Sequence, residues 1–188
     1  MKSSKDEIFR AARFLFSTKG YHGTTIRDIA KARGILSGSL YAHIESKEDL
    51  LYAIVEEGAT AFLDALIPIS QSDMSALNKL QAALVAHIEV ITTHMDGARV
   101  FLHEWTALDD EHRQKVLLQR DEYEKLWAQL LQEGIDTGVL KPVNVKYLRL
   151  LVLSAGNWVS EWYRSDGPMS PEMIASEFLT ILLYGVAE

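Results

Sequence analysis

Thr24-Thr25-Ile26-Arg27-Asp28-Ile29-Ala30-Lys31-Ala32-Arg33-Gly34-Ile35-Leu36-Ser37-Gly38-Ser39-Leu40-Tyr41-Ala42-His43 is the stretch on which the fold of this 188-residue chain turns. Thr25, with Asp28 three residues later, is a capping pattern that starts a short helix reaching about Ala32. Gly34 supplies the tight turn, and a second short helix covers about Leu36 to Ala42. Ala30 is small where the two helices must cross, and Ile26, Ile29, Ile35 and Leu40 are spaced to pack them together. That is a helix-turn-helix. Its second helix shows Ser37, Gly38 and Ser39 outward, with no bulky side chain to hold the backbone away from a DNA major groove. Tyr41, His43 and Lys47 follow as donors suited to phosphate oxygens. Thr24, Thr25 and the exposed amides at the helix starts near Thr25 and Lys47 suit the same task. The plainer alternative is a tight helical corner with ordinary caps.

Working outward, helical spacing recurs almost everywhere, and no period-two run longer than four residues suggests a strand. A first helix starts at Ser4, boxed by Glu7, carries Ile8, Ala11, Ala12, Leu15 and Phe16 on one face, and ends at Gly20. Ser46 with Asp49 caps a fourth helix that runs to Pro68. Longer helices are expected from about Asp73 to His94 (stopped near Gly97), Asp109 to Thr137, and Pro142 to Arg164, with a short one from Ala98 to Thr106. Ser170-Pro171-Glu172 starts the last, which ends near Gly185. The fold class is all-α: a three-helix DNA-binding domain over residues 1–47 and a larger helical domain for ligand binding and dimerisation over 48–188.

Charge divides at nearly the same place. Residues 1–54 hold nine Lys/Arg against six Asp/Glu, and residues 55–188 hold ten against twenty, so the net charge of −7 conceals a basic head on an acidic body. Such a head suits a polyanion, although scattered surface charge reads the same way. With no Cys, disulfides, thiolate metal sites and a cysteine nucleophile are excluded. The polar start lacks a secretory apolar region, and no apolar run is long enough to cross a membrane, so a cytoplasmic location and no membrane partner are expected.

The stretch from Ile8 to Leu51 closely resembles the DNA-binding domain of the TetR family, with Phe16, Gly20, Thr24-Thr25, Asp28-Ile29-Ala30, Gly34, Gly38-Ser39-Leu40-Tyr41, His43 and Ser46-Lys47-Glu48. The resemblance implies an all-α homodimeric repressor on a double-stranded, palindromic DNA operator, released by a small-molecule inducer bound in the C-terminal domain. Leu36 stands where serine is common, which moves helix capping towards Ser37, and Ile44 where phenylalanine is common. Gly34 to Tyr41, Arg120-Asp121-Glu122-Tyr123-Glu124, and Asn157-Trp158-Val159-Ser160-Glu161-Trp162-Tyr163-Arg164 are similar to the branch that controls fatty-acid and sterol-ring degradation. That similarity implies an inducer of acyl-CoA type.

In the body, His87, Ile91, His103, Trp105, Tyr123, Trp127, Asn157 and Trp158 are the candidate ligand residues. Aromatic walls with a few polar atoms line most small-molecule chambers, although aromatics at helical spacing are more often plain core. Asn157 carries more information, because an amide in so apolar a helix needs a partner. Leu148, Leu151, Val152, Ala155, Val159 and Trp162 make a stripe, yet Leu150, Leu153 and Trp158 are apolar on other faces. A helix apolar nearly all round is covered on more than one side. The same helix pair of a second subunit is the expected cover, placing Val159, Trp162, Phe178, Ile181 and Leu182 at a dimer interface.

No metal and no cofactor are expected: His103-Glu104 has no second His at zincin spacing, and no Walker loop, Gly-x-Gly-x-x-Gly or Gly-x-Ser-x-Gly occurs. An enzyme is therefore not expected. Two alternatives stay open. A repressor responsive to multidrug or aromatic cations would use Glu104 and Glu161, and a small-molecule sensor would keep the fold without acting through DNA.

Overall fold

The computed structural model describes residues 4–185; the Ser4 side chain, and with it the Ser4–Glu7 cap, lies outside the described residues. The described residues form α1 (Ser4–Lys19), α2 (Ile26–Arg33), α3 (Ser37–Leu40), α4 (Lys47–Ser70), α5 (Ala76–Thr93), α6 (Met95–His103), a 3-10 turn (Trp105–Ala107), α7 (Asp110–Asp136), α8 (Val145–Trp162) and α9 (Pro171–Tyr184), with no strand among them. The chain divides into two compact units, residues 4–60 with 94–118 and residues 61–93 with 119–185. The division falls inside α4 and α7, so each of these helices contributes to both.

In the first unit, α1 buries Ile8, Ala12, Leu15 and Phe16, and Gly20 ends it at φ 76° with its N–H on the Phe16 carbonyl. Thr25 and Asp28 form a full capping box on α2, and Gly34 closes that helix at φ 68°, a backbone state that costs glycine no Cβ clash. Ile29, Ala30 and Leu40 are buried at the α2–α3 crossing. Ser46 accepts the Asp49 N–H and starts α4. Glu48 of α4 accepts the Asp109 N–H at 2.7 Å, and Asp109 accepts the His112 N–H at 2.8 Å. The ligand atoms of Glu48, Asp109 and His112 lie within 4.8 Å of one another, and these bonds give both carboxylates a role as caps on the start of α7.

The second unit is built on α5, which packs against α8 and α9. Leu80, Leu84, Ile88, Trp127, Leu131 and Ala175 are among its buried core residues. Lys79, mostly buried, meets both carboxylate oxygens of Glu133 at 3.0 Å.

Several boundaries differ from expectation. Helix α4 passes Pro68 and ends at Ser70; the proline has no N–H for the Asp64 carbonyl one turn before it, and the helix stops two residues later. Gly97 lies inside α6 rather than stopping a helix; its helical backbone tolerates glycine at a cost near 1 kcal/mol. Asn144, not the region of Pro142, starts α8, since its side chain accepts the Lys146 N–H. Leu36, without any side-chain cap, precedes α3, so the shift of capping to Ser37 does not occur.

Candidate functional site

The helix-turn-helix presents an uneven surface. Gly38, Ser39, Tyr41 and His43 are exposed and Ser37 is half-buried. A Cβ built on Gly38 would meet nothing within 4 Å, so nothing inside the protomer calls for glycine there. Leu36, at 81% exposure, stands uncovered beside it. Thr25 is exposed, and its hydroxyl is engaged with Asp28 in the cap.

Two of the expected DNA contacts work inward instead. Thr24 is 1% exposed, and its hydroxyl donates to the Gly20 and Leu15 carbonyls at 2.9 and 3.2 Å, which removes it from the outer surface. The Lys47 ammonium donates to the Tyr21 and Thr24 carbonyls, both at 2.8 Å, and stands 3.9 Å from the Tyr21 ring centroid. Burial lowers the Lys47 pKa below its ordinary value. Two of its three N–H donors thus hold the loop before α2.

The same unit fastens that head from behind. Glu104, at the end of α6, accepts the Tyr21 N–H at 2.9 Å, and Ser17 donates to Asp96 at 2.8 Å. Arg13 pairs with Glu57, and Arg33 with Glu7. Glu104 was a candidate partner for a cationic inducer; its carboxylate is committed to the backbone after α1. Nothing local in the sequence announced this contact, which spans 83 residues.

In the second unit, four of the candidate ligand residues gather. His87 of α5 is 3% exposed, with Nδ1 2.8 Å from the Tyr123 hydroxyl of α7. Trp127 stands one turn on from Tyr123, with its ring centroid 6.1 Å from that of His87. Phe62 of α4 closes the group at 5.1 Å from His87 and 5.4 Å from Tyr123. Gly156 of α8 makes room for the imidazole: a Cβ there would lie 2.6 Å from Cδ2 and 2.7 Å from Nε2. Burial pushes the His87 pKa down to about 4, against the smaller opposing effect of the Asn157 side chain, and burial raises that of the Tyr123 hydroxyl. His87 is therefore neutral and Tyr123 protonated near neutral pH. Ile91 is fully buried in the same unit. His103, exposed, and Trp105, half-buried, belong to the first unit. Sequence reasoning missed Phe62 and Gly156; the signal for Gly156 was a small residue beside Asn157 in an otherwise apolar helix.

Helices α8 and α9 carry an exposed apolar face. Leu151 is 65% exposed, Trp158 64%, Trp162 44% and Ile181 53%, far more than an ordinary core helix leaves open. Trp158 thus stands outside any chamber wall, and Val159, at 0% exposure, is core rather than interface. Phe178, Ile181 and Leu182 line an apolar groove of about 360 Å³ with Leu84, Val152 and Ala155.

Two family models match the chain. A family model described as "Bacterial regulatory proteins, tetR family" matches residues 4–54, and one described as "Tetracyclin repressor-like, C-terminal domain" matches residues 73–186. The HTH-type transcriptional repressor KstR2 of Mycolicibacterium smegmatis is 34% identical, covering 99% of this chain and 92% of the relative. The structure of the ketosteroid transcriptional regulator KstR2 of Mycobacterium tuberculosis superposes with a TM-score of 0.91 at 27% identity, covering 100% of this chain and 97% of that one. A crystal structure of AibR in complex with isovaleryl coenzyme A and operator DNA gives 0.85 at 25% identity, covering 96% and 98%.

Proposed function

The chain belongs to the TetR family of bacterial regulatory proteins, and on that premise we propose that it is a ligand-responsive repressor whose effector is an acyl-CoA. The domain over residues 1–47 reads duplex DNA, and residues 48–188 bind the effector and a second subunit. Gly38, open where a side chain would stand, is the observation that carries the DNA reading, because a helix laid against base edges needs that space empty. Ser37, Ser39, Tyr41 and His43 contact bases and phosphates, and Thr25 offers its backbone amide at a helix start. Thr24 and Lys47 hold the head in shape.

The exposed apolar face of α8 and α9, with Trp158, Trp162 and Ile181, is the dimer surface. A two-fold pair sets two reading heads about 34–36 Å apart on a palindrome, in the cytoplasm where its DNA lies. Among the described residues no helix is long and apolar enough to cross a membrane. His87, Ile91, Tyr123, Trp127 and Asn157 are the effector residues. An acyl thioester is favoured over an aromatic cation because Glu104, one of the two carboxylates a cation would use, is bound to the Tyr21 N–H.

The test is selection of a duplex from a random pool, followed by fluorescence anisotropy of the chosen duplex with and without acyl-CoAs. Specific binding that falls about 100-fold on adding an acyl-CoA is the expected result; this needs about 2.7 kcal/mol of differential affinity. Absence of any preferred duplex at low salt overturns the DNA reading, and release by aromatic cations alone overturns the effector class.

A further inference from the structure

Leu36 is 81% exposed, and no large apolar side chain among the described residues is more open to solvent. It holds the N-cap of α3 with φ −72° and ψ 144°, and its side chain makes no capping hydrogen bond. Serine, threonine, asparagine or aspartate is preferred at that position, because a side-chain oxygen there accepts a backbone N–H that leucine leaves unmet. The sequence therefore carries two losses at one residue, an uncapped helix start and an aliphatic side chain in water. Its neighbours on α3 do not cover it: Ser37 and Ser39 are small, and Gly38 has nothing within 4 Å of its missing Cβ. Leu40, one turn on and 0% exposed, is the leucine that packs α3 into the core.

Such a departure from local rules marks a place where an outside partner sets the residue. The head indicates the partner. Between Thr25 and Lys47 it carries Arg27, Lys31, Arg33 and Lys47 against Asp28 and Glu45, with Arg27 and Lys31 exposed, a balance suited to a polyanion. Leu36 lies two residues before Gly38, whose empty surroundings carry the DNA reading. A leucine side chain neither donates nor accepts a hydrogen bond, so it can hold no phosphate and cannot answer the polar pattern of a base edge. Of the groups that the bases present in the major groove, the C5 methyl of thymine is the apolar one.

We infer that Leu36 is a specificity-determining residue of the reading head and packs against the C5 methyl of one thymine in each half-site, an inference that rests on the DNA reading proposed above. The contact takes two apolar surfaces out of water. Cytosine in that place has no methyl group and presents an amino donor that leucine cannot satisfy, so Leu36 selects thymine over cytosine.

The experiment replaces each thymine of the selected duplex in turn by deoxyuridine, which pairs identically and lacks only the C5 methyl. Binding of the parent, Leu36→Ser and Leu36→Met is measured by fluorescence anisotropy. One position in each half-site is expected to stand out in the parent, with affinity about fourfold weaker for each methyl removed. Leu36→Ser is expected to bind the thymine and deoxyuridine duplexes equally at that position. Leu36→Met, which keeps an apolar side chain of similar size, should retain most of the difference. In urea unfolding Leu36→Ser should match or exceed the parent, since serine supplies the missing cap. Deoxyuridine losses that are absent in the parent, or of the same size in the parent and Leu36→Ser, overturn the inference and leave the DNA reading standing. A clear fall in the stability of Leu36→Ser does the same, because leucine would then answer to the fold. Failure to select any duplex overturns that reading and the inference together.

Discussion

Acidification should destabilise the second unit in part through one side chain, His87. His87 has its pKa pushed from the ordinary 6.5 to about 4 by burial. The unfolded chain takes up the proton near pH 6.5 and the folded chain only near pH 4, so between those values the unfolded state holds more protons. Stability then falls as pH falls through that window, and is unaffected by this group above it. A shift of about 2.5 units at about 1.36 kcal/mol each sets a ceiling near 3 kcal/mol, of which about 2 kcal/mol appears between about pH 7 and pH 5. With a urea slope of about 2 kcal/mol per molar, the midpoint drops by about 1 M over that interval. The assay is urea unfolding of the parent and of His87→Gln at several pH values, with the variant subtracting whatever the other titrating groups contribute. His87→Gln should lose about 2 kcal/mol less than the parent on acidification. Parallel pH profiles for the two proteins would falsify the claim that His87 is buried neutral.

Gly156→Ala places a Cβ 2.6 Å from the His87 ring, so it should cost about 1–3 kcal/mol and lower the melting temperature by roughly 2–4 °C per kcal/mol. In a His87→Ala background the same change should be nearly neutral, and equal costs in both backgrounds refute the contact. Lys47→Met keeps the aliphatic stem but strips the donor from the Tyr21 and Thr24 carbonyls; a loss of about 1 kcal/mol by denaturant unfolding is expected. Unchanged stability with weakened DNA binding would return Lys47 to the role of phosphate donor. Trp158→Ser with Trp162→Ala should yield monomers in sedimentation equilibrium, and a dimer of undiminished tightness moves the interface off α8.

The helix-turn-helix was legible because its signals are local. Thr25 with Asp28, Gly20 and Gly34 each fix a boundary within a few residues of themselves, and the structure places all of them where the spacing does. Helix α8 was legible as a helix and illegible in phase. Reading it by its large apolar residues set a stripe through Leu148, Leu151, Val152, Ala155, Val159 and Trp162. The buried residues are Val152, Leu153, Gly156, Val159 and Ser160, a stripe turned partly round the axis. Where a helix has no polar face, periodicity carries no phase. The small residues Gly156 and Ser160 are buried, Gly156 against His87 of α5, and a search for bulk passes over them. Lys47 and Glu104 failed for another reason: their partners are backbone groups 23 to 83 residues away, and no side-chain pattern records a carbonyl or an amide.

A helical glycine, Gly38, with empty space at its missing Cβ, conflicts with folding alone. A sequence shaped only by stability would remove it, since natural proteins break local rules chiefly where an outside partner requires it. Relieving it therefore has a signature that separates function from fold. Gly38→Ala should raise the unfolding free energy by about 0.5–1 kcal/mol, the usual gain of alanine over glycine in a helix. The same variant should bind the selected duplex at least tenfold more weakly. Paired urea melts and anisotropy titrations read both quantities on the same samples. If Gly38→Ala destabilises the protein, or gains stability without losing DNA, glycine at that position answers to the fold and not to a duplex.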